Sequence, residues 1–115
     1  MPGKAKPEIW TSERCYISEI LNDPVYAEVS IARCRVEPGE TTQNHSLSVH
    51  EVYVIEEGVG LMMLGDRTPF AVGAGSHVSI PRHTAQCIRN TGPGDLTFLC
   101  VCTPRFSQEC YTPLE

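Results

Sequence analysis

No run of apolar residues in this 115-residue chain is long enough to span a bilayer. Positive charge is scarce as well. Nine Lys and Arg stand against 14 Asp and Glu, for a formal charge of −5 and a pI near 5.3. That balance excludes a nucleic-acid partner, which would need a basic face. Six cysteines are present, yet no Cys-x-x-Cys pair occurs, which argues against a structural zinc knuckle. Residues 1–8 carry charge with no apolar segment behind it, so they are not read as a secretory signal. They are expected to form a flexible tail, with order beginning near Ile9 or Trp10, and the expected address is the cytoplasm. In that compartment the cysteines are expected to be reduced packing residues rather than a disulfide framework.

Helical periodicity is also missing, as are linkers, internal repeats and low-complexity blocks. What the chain has is punctuation. Turn signals recur at Asn22-Asp23-Pro24, Pro38-Gly39, Glu57-Gly58, Gly65-Asp66, Gly73-Ala74-Gly75 and Thr91 to Asp95. Between them lie short runs that predict strands: 14–21, 25–36, 51–55, 59–64, 77–80, 85–90 and 96–103. In the last run Leu96, Phe98, Cys100 and Cys102 share one face while Thr97, Leu99 and Val101 share the other. Both faces are largely apolar, which predicts a strand covered on both sides. Seven short strands with regular turns predict one all-β domain, a sandwich or a closed barrel, over residues 9–115 including a C-terminal extension.

From Gly39 onward the spacing resembles a known pattern. Gly39, His45, Leu47, Glu51 and Gly58 stand at the intervals of G-x5-H-x-H-x3-E-x6-G, with Leu47 in the place of the second histidine. Gly75, Pro81, His83, Gln86 and Asn90 stand at those of G-x5-P-x-G-x2-H-x3-N, with His83 in the glycine place and Gln86 in the histidine place. Two motifs in register, covering roughly Ile31 to Pro104, resemble those of small single-domain cupins. The resemblance implies a cupin-type double-stranded β-helix, or jelly-roll barrel. It also implies a homodimer through the outer sheet, with Trp10, Ile17, Ile20 and Leu21 as possible contacts.

Carried over by position, the resemblance implies a divalent metal (Fe, Mn or Zn) held by His45, Glu51 and the Gln86 amide oxygen, with positions open for water or an anionic substrate. The competing expectation is a packed pocket in which His45 and Gln86 hydrogen-bond Glu51 without metal. His45 and Leu47 share a strand face, as do Glu51 and Tyr53. Glu51, Tyr53 and His83 are the candidate catalytic residues, by general acid–base chemistry. Tyr53 could equally be a core aromatic, and His83 a plain loop residue at the pocket rim. Cys34, Leu47, Ile88, Phe98 and Cys100 are the expected pocket walls, suited to a small and mostly hydrophobic organic molecule. Three functions fit: a metal-dependent oxidoreductase of the dioxygenase kind, an isomerase, epimerase or lyase, and a metal-free binding module.

Overall fold

The computed structural model describes residues 2–115, and Met1 of the expected tail lies outside them. The alternating runs pair into two antiparallel sheets. One has six strands in the order β1 (Ile9–Trp10), β2 (Tyr16–Leu21), β3 (Ser30–Val36), β10 (Leu96–Thr103), β5 (His50–Glu57), β8 (His77–Ile80). The other has five: β11 (Tyr111–Pro113), β4 (His45–Leu47), β9 (Gln86–Asn90), β6 (Val59–Leu64), β7 (Phe70–Gly73). They face each other as the expected all-β double-stranded β-helix. No helix of the described residues is long and apolar enough to cross a membrane.

Side-chain alternation fills the space between the sheets. Val36, Ile55, Met62, Ile80, Ile88, Leu96 and Phe98 are each at most 1% exposed and close one end of the barrel. A smaller cluster of Leu47, Val49, Cys102 and Cys110 packs near the other end with Phe106 and Tyr111. All six cysteines are free.

Motif residues that carry no chemistry explain themselves in the turns. Gly58 has φ +87°, and a Cβ there would lie 2.5 Å from the Asp95 carbonyl oxygen. Only glycine fits both constraints. Asn90 is 1% exposed and fully used. Its amide donates to the Val36 and Gly94 carbonyls at 2.8 Å each, while its oxygen accepts the Gly92 N–H at 2.9 Å.

Three expectations need correction. The run 25–36 becomes a strand only from Ser30. Asp23 accepts the Val25 N–H through Oδ1 at 2.9 Å and the Tyr26 N–H through its carbonyl at 2.8 Å. That turn leaves Val25 and Tyr26 exposed despite their β-forming character. β10 is covered on one side only: Leu96, Phe98 and Cys102 are buried, whereas Thr97, Leu99 and Val101 on the outer face stay half-buried. Ile17 and Leu21, expected as outer contacts, line the interior cavity instead. Residues 2–8 are exposed but pinned. The Lys6 N–H donates to the Glu19 carbonyl at 2.8 Å, and Glu8 pairs with Arg35 at 2.8 Å.

Candidate functional site

Register brings the motif residues together. His45 on β4 lies directly opposite Gln86 on β9, while on the facing sheet Glu51 and Tyr53 on β5 lie opposite Cys102 and Cys100 on β10. The three motif side chains, His45, Glu51 and Gln86, and that of Tyr53 are buried between the sheets. His45, Glu51 and Tyr53 border a cavity of about 300 Å³ that abuts the packed core, with Leu47, Cys34, Phe98 and Cys100 among its walls.

His45 is held in one tautomer. Its Nδ1 lies 2.7 Å from the Gln43 carbonyl oxygen, which can only accept, so the proton sits on Nδ1 and Nε2 keeps its lone pair. The ring stacks on Tyr111 at 4.6 Å between centroids and 15° between planes, and the Tyr111 hydroxyl in turn donates to Gln43 Oε1 at 2.5 Å. Desolvation lowers the imidazole pKa, outweighing the upward effect of the Gln43 carbonyl. His45 is therefore a neutral base.

Glu51 is 5% exposed, and among the described residues its side chain accepts from the Cys102 thiol, 3.6 Å from Oε2. Oε1 is buried with no partner. Burial pushes the carboxyl up to about 7, against the pull of the nearby Gln86 amide and the Cys102 thiol, with the Glu13 charge adding to the rise. Across the cavity floor the Tyr53 hydroxyl donates to Gln86 Oε1 at 2.7 Å and ties the two sheets together. Gln86 Nε2 is left without a hydrogen-bond partner. Burial drives the Tyr53 phenol well above its ordinary range, with the Glu51 charge adding to the shift, so it stays protonated.

Two residues singled out in the sequence lie elsewhere. His83 is an exposed turn residue with φ +61°; its backbone N–H donates to the Leu47 carbonyl at 2.7 Å, and it does not border the cavity. Ile88, two residues beyond Gln86 on the same face, is carried past the cavity into the closed core. Conversely, Glu13, Cys15, Ile17 and Glu19 all line the cavity. Their period-two spacing was the available signal. Tyr111 gave none, because its position depends on β11 pairing with β4 across more than sixty intervening residues.

The donor set does not fit a three-ligand metal centre. Leu47 occupies one ligand place with hydrocarbon, and the Gln86 oxygen is engaged by Tyr53. Among the described residues no three His, Cys, Asp or Glu side chains converge as metal ligands. Two donors are left, His45 Nε2 and Glu51 Oε1.

A family model described as the cupin domain matches residues 32–102. No curated protein matches the chain. Among solved structures, it is similar to an uncharacterized double-stranded β-helix protein of Klebsiella pneumoniae, with 15% identity, coverage of 91% of this chain and 88% of that one, and a TM-score of 0.78. A variant of Streptomyces PAC13, solved with uridine, gives 14%, 96%, 85% and 0.79 for the same quantities. Oxalate decarboxylase from Bacillus subtilis gives 19% identity and a TM-score of 0.80, covering 97% of this chain but only 30% of that enzyme. At these identities the likeness is one of fold.

Proposed function

Since the chain belongs to the cupin domain family, we propose that it binds a small organic molecule inside the barrel and moves a proton on it, as an isomerase, epimerase or lyase does. One observation carries the reading: Glu51 sits buried on the wall of the cavity with Oε1 unpartnered. A carboxyl near 7 can give or take a proton at neutral pH. His45, neutral and oriented through Nδ1, supplies a second acceptor from the facing sheet. Tyr53 orients Gln86, whose buried amide lies behind Glu51 rather than on the cavity wall. That a neighbour of the same size was solved with uridine supports a ligand of this scale.

A second reading keeps the dioxygenase chemistry implied by the motifs. It draws on His45 and Glu51 as two donors to iron, manganese or zinc, with water or substrate completing the shell. A homodimer belongs to the proposal too, through the stripe of Val52, Val54, Leu99 and Val101 on the outer sheet face, as does a cytoplasmic location.

The test is chelator-treated protein incubated anaerobically in D2O with a panel of small carbonyl and polyol compounds, followed by proton NMR. Carbon-bound proton exchange or turnover that disappears in Glu51→Gln and His45→Ala is expected. Turnover that requires both oxygen and added divalent metal would overturn this reading in favour of the dioxygenase. Binding with no turnover under either condition would leave a binding module.

A further inference from the structure

The cavity walls are unusual in charge. Three carboxylates, Glu13, Glu19 and Glu51, border the cavity, and no lysine or arginine does. Glu19 is met from outside by Lys6 at 3.7 Å. Among the described residues Glu13 and Glu51 make no ion pair. Arg14, the cationic residue nearest in sequence, is turned away: its Nε donates to the Thr41 carbonyl at 2.8 Å, and its Nη2 lies 2.9 Å from a Glu115 carboxylate oxygen.

Two further features act in the same direction. Among the described residues Glu51, only 5% exposed, borders the cavity, and its Oε1 is buried without a hydrogen-bond partner, with the Gln86 amide close by. Four aromatic residues contribute to the wall, with Tyr53 and Phe98 packed at 4.4 Å between centroids and Tyr111 and Phe106 beside them. Ring faces attract cations, more strongly where water is excluded. A carboxylate ligand would instead lose its water and find only like charge.

We propose that the ligand of this cavity is a small organic cation, an amine on an apolar or aromatic body, with its ammonium beside the Glu51 carboxylate. The inference rests on the cavity being the ligand site, and it narrows the substrate class of that site. Where the motif resemblance implied an anion completing a metal shell, these walls select the opposite charge.

Three nearly isosteric probes separate the possibilities: benzylamine, benzyl alcohol and benzoate, titrated into the full chain in EDTA and followed by calorimetry and amide chemical shifts. Benzylamine is expected to bind about tenfold more tightly than benzyl alcohol, with benzoate weakest. All the shifts should map to β4, β5 and β10. In Glu51→Gln the amine's advantage should vanish while benzyl alcohol binding persists. Benzoate binding as well as benzylamine, or an amine preference untouched by Glu51→Gln, overturns the charge assignment but leaves the pocket reading intact. If none of the probes perturbs the cavity, both fail. Folding of Glu51→Gln is verified by its retained binding of benzyl alcohol and its amide spectrum.

Discussion

The Tyr53 hydroxyl on one sheet donates to the Gln86 side-chain oxygen on the other at 2.7 Å. Tyr53 is 3% exposed and Gln86 is not exposed at all. The bond therefore explains a glutamine where the motif has histidine. The amide accepts from the phenol with its oxygen and presents its nitrogen to the space beside Glu51.

Cutting that bond on one side should be costly, and cutting it on both sides much less so. Tyr53→Phe leaves the Gln86 oxygen buried with no donor, for a loss of about 1–3 kcal/mol. Gln86→Met leaves the phenol in the same position. The double variant removes both polar partners, so its loss should fall well short of the sum of the two. Urea unfolding of the four proteins measures this directly. Additive losses would mean that the two residues are not coupled.

How much of this was legible in the sequence depended on the range of the interaction. The motif intervals place His45, Glu51 and Gln86 because strand alternation and turn glycines are local, whereas the reasons for Gly58 and Asn90 also include distant partners, the Asp95 and Val36 carbonyls. Alternation also puts His50 on the face opposite Glu51 and Tyr53, where its Nε2 lies 3.0 Å from the Ser79 hydroxyl. What spacing could not give was which neighbour each inward side chain meets. Gln86 looked like a metal ligand until its partner proved to be Tyr53, from the other sheet. Tyr111 behind His45, and Glu13 in the wall, come from segments outside the motifs. His83 was judged by its distance from Gln86 in sequence, but a left-handed turn directs it to solvent.

Stability should fall as the pH rises from about 4.5 toward 7. In the unfolded chain Glu51 titrates near 4.5, whereas in the fold burial holds its pKa at about 7. Between these values the folded state binds the extra proton, so raising the pH removes a proton that favours folding. The full effect is present below about 4.5 and is lost above about 7, amounting to at most about 3 kcal/mol. Glu51→Gln should flatten that slope and be the more stable protein at pH 8. Chemical denaturation at pH 5, 6, 7 and 8 provides the comparison, and identical slopes for the two proteins would show that Glu51 is not the titrating group.

Two donors, His45 and Glu51, imply weak metal binding, and the sequence departures suggest how to strengthen it. Leu47 shares the inward face with His45 and is 3% exposed. Gln86 stands opposite His45 across β4 and β9. Leu47→His with Gln86→His would place three imidazoles and one carboxylate around the same space, a set suited to zinc, manganese or iron. The change should cost stability without metal, since it buries a polar ring where leucine packs on the Cys102 and Cys110 cluster. Zinc should then bind at least about tenfold more tightly to the double variant than to the parent and raise its unfolding temperature. Calorimetric titration of both proteins after chelator dialysis tests the donor count. A parent that keeps one metal per chain through dialysis, or matches the variant's affinity, would mean that Gln86 releases Tyr53 to serve as a ligand after all.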